Sequence, residues 1–168
     1  IYRPLWKESG VRDTPQPFVK DLLSDADPTD LRKSDFEIRG CALGRGLPVV
    51  CDMCMGSVLH SDGTPYAGAS TVDGATIDRL THRKRVTEYP DLATSPQIEY
   101  LVLACEEGGR WGPDQHRLLR SLVRTKVASI HPLLRRRASL AYTRRWWGIL
   151  SIGAQTVAAD CILGRESP

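Results

Sequence analysis

The sequence has few of the paired ligands from which structural zinc sites are built. Such sites normally take four Cys or His side chains, arranged as two close pairs. Cys51 and Cys54 form one pair, but no second CxxC, CxxH or HxxxH occurs in the 168 residues. Residues three apart on a strand also point to opposite faces. A zinc finger is therefore a poor explanation of this chain.

The sequence also lacks the signs of a secreted protein. Its five cysteines are odd in number and scattered, and four of them lie in apolar surroundings, where a thiol behaves as a small hydrophobic group. No charged and then apolar leader opens the chain, which begins with Ile1 rather than Met. We therefore expect a piece cut from a longer protein that works in a reducing compartment.

Long apolar runs are scarce as well. The best is RRWWGILSIGAQTVAADCIL, residues 144–163, in which arginines and paired tryptophans precede an apolar stretch, as at a membrane surface. Gln155 and Asp160 interrupt that stretch and weigh against a span. A membrane-associated accessory protein is thus a minor alternative, and no membrane partner is expected.

What the sequence does have is an uneven distribution of charge. Residues 1–109 contain 12 Lys and Arg against 17 Asp and Glu, whereas residues 110–168 contain 11 against 3, so the two parts carry −5 and +8. Clustered Lys and Arg are typical of nucleic-acid binding because they release counterions from phosphates. The alternative is a helix face that is solvated or paired with the acidic part.

The hydrophobic patterns predict a mixed α/β fold. Strands are predicted at residues 35–39, 47–55 and 97–105. The last of these is apolar enough to be central in its sheet. Helices are predicted from Asp73, as N-cap, to Glu88, from Pro113 onward, and from Pro132 to Gly164. We expect a lead-in at residues 1–30, a core at 31–131 and a basic helical extension at 132–168.

Asp52 is the single carboxylate in the apolar strand 47–55, where Val50, Asp52 and Cys54 share one face. Asp35 lies on the preceding strand, at a hairpin's distance. Two carboxylates on adjacent strands repel unless a cation lies between them, and such oxygen ligands suit Mg²⁺ or Mn²⁺. Asp35 and Asp52 are therefore predicted metal ligands, although a lone strand aspartate can also occupy an edge or cap a loop.

The helix that follows supplies a cation. Counting 100° per residue from Ile77 puts Lys84 at about 340°, beside Leu80 on the apolar face, and Arg85 at about 80°. Lys84 is therefore predicted to point inward. It is either a snorkelling side chain or a group that orients or deprotonates an attacking water and stabilises a phosphate.

Asp, Asp and Lys in this order resemble the core of PD-(D/E)XK nucleases. The chain is similar in particular to the restriction-like endonuclease domain at the C-terminus of reverse transcriptases encoded by non-LTR (LINE-type) retrotransposons. Three segments resemble that family's acid, acid and lysine motifs: RKSD at 32–35, CDMCM at 51–55 and RKRVTEYPDL at 83–92. YLVLACEEGGRWG at 100–112 resembles its later strand and turn, and the resemblance covers roughly residues 30–163.

The resemblance implies a restriction-endonuclease-like fold, with a small central sheet flanked by helices and a long basic C-terminal helix. It implies that either Lys84 or Arg85 fills the position of the family's lysine. Of these two residues only Lys84 could act as a base, because an arginine side chain stays protonated. The catalytic residues that it implies are Asp35, Asp52, Lys84 or Arg85, Tyr89 and Glu106.

The function that the sequence favours is a Mg²⁺- or Mn²⁺-dependent DNA endonuclease, a hydrolase that nicks target DNA in the nucleus to prime reverse transcription. Its partners would be DNA and a reverse transcriptase lying outside this chain. The alternative is a catalytically decayed, nucleic-acid-binding remnant of the same fold. Ten residues are predicted to contact DNA: Arg110, Arg117, Arg120, Arg124, Lys126, Arg135, Arg136, Arg137, Arg144 and Arg145.

Overall fold

A four-stranded mixed sheet forms the centre of the fold. The computed structural model describes residues 2–164, so residue 1 of the expected lead-in and residues 165–168 of the expected extension lie outside it. The strands are β1 (Arg12–Pro15), β2 (Phe36–Arg39), β3 (Val49–Gly56) and β4 (Glu99–Glu106). They lie in the order β1-β2-β3-β4; the first three are antiparallel, and β4 runs parallel to β3.

Helices flank the sheet, as the mixed α/β prediction requires. They are α1 (Arg3–Ser9), α2 (Val19–Leu22), α3 (Ala75–His82), α4 (Pro90–Thr94), α5 (Pro113–Ala128) and α6 (Arg135–Ile162). Residues Arg83–Glu88 continue α3 as a π-helix, and residues Ala42–Gly44 and Pro132–Leu134 form 3₁₀ turns. The long C-terminal helix and the three expected strands are confirmed.

The N-cap of α3 and the position of β4 in the sheet were predicted wrongly. Asp73 is not the N-cap of α3, because the helix begins after Gly74, which adopts a left-handed φ of 82° suited to glycine. Strand β4 is not central but lies at the end of the sheet. It is apolar because helices cover both of its faces, which gives the same composition as a central position.

The sheet separates two hydrophobic cores. Val49, Cys51 and Leu101 face the larger core, which α1, α5 and α6 cover. Val50 and Val102 face the smaller core, which α2, α3 and α4 cover. The alternation predicted for β3 is therefore confirmed, and it directs Asp52 toward α3 and the π-helix.

The N-terminal segment, interpreted from the sequence as a lead-in, packs against the sheet and the larger core. Strand β1 pairs with β2, and Leu5 and Trp6 of α1 are buried in the larger core. This segment has no long periodic pattern because it contributes a four-residue strand and a few stacked aromatic rings. Helix α6 is likewise integral to the core, since Trp146 and Leu150 are fully buried.

Candidate active site

Asp35 and Asp52 meet across strands β2 and β3. The pairing of Phe36 with Cys51 places Asp35 opposite Asp52, one residue before β2 begins. Asp35 Oδ2 accepts a hydrogen bond of 2.5 Å from the backbone N–H of Met53, the residue that follows Asp52. Asp52 is only 3% exposed. The antiparallel register thus brings together the two carboxylates predicted as metal ligands.

Lys84 approaches the pair from the π-helix. Its Nζ lies 2.7 Å from Asp52 Oδ2 and 2.6 Å from Glu88 Oε2. The Tyr89 N–H donates to the Lys84 carbonyl five residues back, at 2.9 Å, which is the π-helical pattern. Lys84 therefore points inward, as the helical phase predicts, and forms the third member of the cluster.

Arg85 has a different position. Its Nη2 lies 2.8 Å from Asp114 Oδ2 and 3.1 Å from the Tyr100 carbonyl. Asp114 Oδ2 also accepts the Val102 N–H at 3.1 Å. Tyr100 and Val102 belong to β4, whose outer side has no neighbouring strand among residues 2–164. The Arg85–Asp114 pair thus forms hydrogen bonds with the Tyr100 carbonyl and the Val102 N–H at the free edge of β4. Among the described residues Arg85 forms no ion pair with Asp35 or Asp52.

Tyr89 lies beside Lys84, with the ammonium 5.4 Å from its ring centroid, and its hydroxyl donates to the Lys33 carbonyl at 2.8 Å. Glu106 lies elsewhere. It is four residues along β4 from Val102, the partner of Asp52, which is about 13 Å at the usual rise of a strand. Its carboxylate is 3.5 Å from Arg110 instead. The structure therefore joins Tyr89, but not Glu106, to the cluster.

Two residues at this site escaped the sequence analysis. Glu88 is the second anion of Lys84, and its i,i+4 spacing was a signal that could have found it. Arg32 donates to the Glu88 carbonyl at 2.7 Å and to Asp91 Oδ2 at 2.6 Å. It therefore fixes the segment before Asp35 to the end of the π-helix. Arg32 also pairs with Asp30 at 2.7 Å, but no local pattern indicates its contact with the π-helix, because Glu88 and Asp91 lie 56 and 59 residues away.

Burial dominates the electrostatics of the cluster. Burial raises the pKa of Asp52 to about 6, and the nearby charge of Asp35 adds to this effect, although Lys84 opposes it. Burial lowers the pKa of Lys84, but its bonds to Asp52 and Glu88 outweigh burial and the net pKa is raised. Lys84 keeps its charge because it has a second, more exposed anion. Asp52 is therefore the group whose ionisation is costly near neutral pH.

The cluster fits a Mg²⁺ or Mn²⁺ ion held by two carboxylates. Mg²⁺ is commonly bound by one or two carboxylates, with water and phosphate oxygens completing its shell. Asp52 Oδ2 is buried and lies 2.7 Å from the Lys84 ammonium, so a metal ion bound by this oxygen would replace that ion pair. Within residues 2–164 there is no group of three or more His, Cys, Asp or Glu side chains arranged to hold a metal ion.

The ten residues predicted to contact DNA fall into different environments. Arg110, Arg117 and Arg145 are ion-paired, with Asp73, Glu99 and Glu8 respectively among their partners. Arg135 donates to the Ala128 and Ile130 carbonyls and caps the end of α5, and Lys126 lies over the Tyr142 ring. Exposed and without an acidic partner in the described chain are Arg120, Arg124, Arg136, Arg137 and Arg144.

The sequence matches no protein-family model, and no curated protein resembles it at a significant level. Over the described residues, none of the helices combines the length and the apolar character needed to cross a membrane.

Proposed function

We propose that this chain is a metal-dependent DNA endonuclease domain of a retrotransposon protein. It would nick target DNA in the nucleus and expose a 3′-hydroxyl that primes reverse transcription by the rest of the polypeptide. The observation that carries the proposal is the cluster of Asp35, Asp52 and Lys84, in which two facing carboxylates adjoin a half-buried ammonium. The resemblance to the restriction-like endonuclease domains supports the choice of substrate.

Asp35 and Asp52 would hold the metal ion. A bound Mg²⁺ or Mn²⁺ supplies an activated water and neutralises charge on the phosphate. Asp52 has to be ionised to serve as a ligand, and its raised pKa makes that ionisation sensitive to pH near 6. The hydrogen bond from the Met53 N–H fixes the orientation of the Asp35 carboxylate.

Lys84 acts as an electrostatic clamp on the scissile phosphate rather than as a base. Its raised pKa keeps it protonated at neutral pH, so it has no free lone pair with which to accept a proton from water. Its ammonium is well placed to stabilise charge that develops on a phosphate oxygen. Glu88 would still hold the Lys84 ammonium when Asp52 binds the metal ion, and the Tyr89 ring packs beside that ammonium.

A second candidate is a nucleic-acid-binding domain of this fold that no longer cleaves. The observation that favours it is the ion pair between Lys84 and Asp52, because an ammonium can neutralise the buried carboxylate without any metal ion. In that case the exposed arginines of α5 and α6 would still contact phosphates, while the carboxylates would serve folding alone.

The two candidates are separated by nicking and metal-binding assays on Asp52→Asn. The first predicts that the wild-type protein nicks supercoiled DNA with Mg²⁺, and that the variant loses both nicking and Mn²⁺ binding measured by electron paramagnetic resonance. Asp78→Asn is the matched control, because Asp78 is an exposed aspartate on neighbouring α3. A wild-type protein that binds DNA but neither binds Mn²⁺ nor nicks would establish the second candidate.

A further inference from the structure

A basic cleft separate from the carboxylate cluster lies between helix α5 and the loop that follows the 3₁₀ turn Ala42–Gly44. Its volume is about 630 Å³. The charged residues that line it are Arg45, Arg117, Arg120, Arg124 and Glu99. Four guanidinium groups therefore face one carboxylate, and this excess of positive charge indicates an anionic ligand.

Three of the four arginines have no acidic partner among residues 2–164, although Arg120 Nε donates to the His116 carbonyl of its own helix at 3.2 Å. Arg117 is held by Glu99 at 2.7 Å and by Asp114 at 3.0 Å, so its charge is already compensated. Arg45, Arg120 and Arg124 are exposed, and within residues 2–164 no acidic side chain lies in ion-pair distance of them. The net positive charge of the cleft comes from these three residues.

The two walls of the cleft are held in place. On α5, Arg117, Arg120 and Arg124 follow a spacing of three and then four residues, which aligns them along one side of the helix. Arg45 lies on the opposite wall, in a left-handed conformation with φ 49° between two glycines. A contact of 3.1 Å between Cys41 Sγ and Ser121 Oγ joins the two walls. The guanidinium groups therefore belong to one pre-formed surface.

We propose that this cleft binds the phosphodiester backbone of nucleic acid, with Arg45, Arg120 and Arg124 as its contacts. From Arg120 to Arg124 the helix rises about 6 Å, which is close to twice the axial spacing of about 3.4 Å between phosphates along one strand of a duplex. Planar guanidinium forks pair well with phosphate oxygens. The contacts proposed here are to phosphate oxygens, which position nucleic acid without reading its sequence. The choice of ligand rests on the proposed function.

The test measures binding of a short fluorescent duplex of mixed sequence to the full chain in EDTA, over a series of salt concentrations. The double variant Arg45→Gln and Arg124→Gln should flatten the slope of log affinity against log salt by about 1.8, since each phosphate contact contributes about 0.9. Lys7→Gln with Arg12→Gln is the control, because it removes the same charge from exposed positions on α1 and β1. That control should leave the slope nearly unchanged.

An unchanged slope in a folded Arg45→Gln and Arg124→Gln protein overturns the proposal. So does polyglutamate that competes for the cleft as strongly as the duplex does, since the site would then fit an acidic protein. Arg45→Gly with Arg124→Gln serves if the first variant misfolds, because glycine relieves the left-handed backbone. If the double variant has a flatter salt slope but the wild-type protein never nicks DNA, the cleft binds nucleic acid and the proposed nuclease activity is wrong. If the wild-type protein nicks DNA but the double variant keeps its salt slope, the nuclease activity stands and the cleft proposal is wrong.

Discussion

Replacing Asp52 by Asn should change how the stability of the protein depends on pH. The carboxyl of Asp52 has a pKa of about 6 in the folded protein, against an ordinary value of 3.8. The unfolded chain therefore releases this proton at a lower pH than the folded chain does. The protonated carboxyl therefore stabilises the folded state. This stabilisation is fully present below pH 3.8 and is lost as the pH rises through about 6.

The size of the effect follows from the difference between the two pKa values. About 2.2 pH units at 1.36 kcal/mol each give about 3 kcal/mol, an upper figure because solvent reaches part of the cluster. Because pH 4 already lies above 3.8, the wild-type free energy of unfolding should fall by up to about 2 kcal/mol more than that of Asp52→Asn between pH 4 and pH 7. Lys84 stays protonated throughout this range, so the loss of its partner does not add to the pH dependence.

The assay is urea unfolding of both proteins at pH 4 and pH 7 in EDTA, followed by tryptophan fluorescence. Acids far from Asp52 are unaffected by the substitution, so their contribution to the pH dependence cancels in the difference between the two proteins. Saturating Mg²⁺ should restore stability at pH 7 to the wild-type protein only, because a bound cation favours the ionised carboxylate. Parallel pH profiles would mean that Lys84 fully compensates the charge of Asp52 and that burial does not govern the ionisation of this carboxyl.

Three further predictions concern the neighbouring charges. Lys84→Ala should slow nicking at least about tenfold in a plasmid assay, whereas Arg85→Ala should leave the chemical step intact, and the reverse result would return the catalytic role to Arg85. Arg85→Ala should instead expose the edge of β4 and promote self-association, measured by analytical ultracentrifugation; a monomeric variant of unchanged stability would contradict this. Replacing Arg136, Arg137 and Arg144 by Ala should flatten the salt dependence of DNA affinity by up to about 2.7, unless this face does not touch DNA.

The elements with strong local patterns could be predicted from the sequence. Alternation in β3 gave the face of Asp52, and helical phase gave the direction of Lys84. The pairing of Asp35 with Asp52 needed only the assumption of a hairpin between adjacent strands. These predictions succeeded because each depends on neighbours in sequence.

The parts that escaped prediction depend on long-range contacts. Strand β1 is recognisable only through its pairing with β2, and α1 only through the aromatic cluster that buries Trp6. The link from Arg32 to Asp91 joins segments that lie 59 residues apart. Composition likewise could not separate arginines that make ion pairs, such as Arg117, from exposed ones such as Arg120, because both look alike in a count of charge.

The π-helix Arg83–Glu88 bears on how such sequences should be aligned. A π-helical turn holds one residue more than an α-helical turn and so absorbs a single insertion without ending the helix. Counting back from Tyr89 at a fixed spacing therefore selects Arg85, although the side chain that reaches Asp52 is that of Lys84. An alignment scored on spacing alone would record a missing lysine, although an ammonium one position earlier in the sequence reaches the buried Asp52 carboxylate.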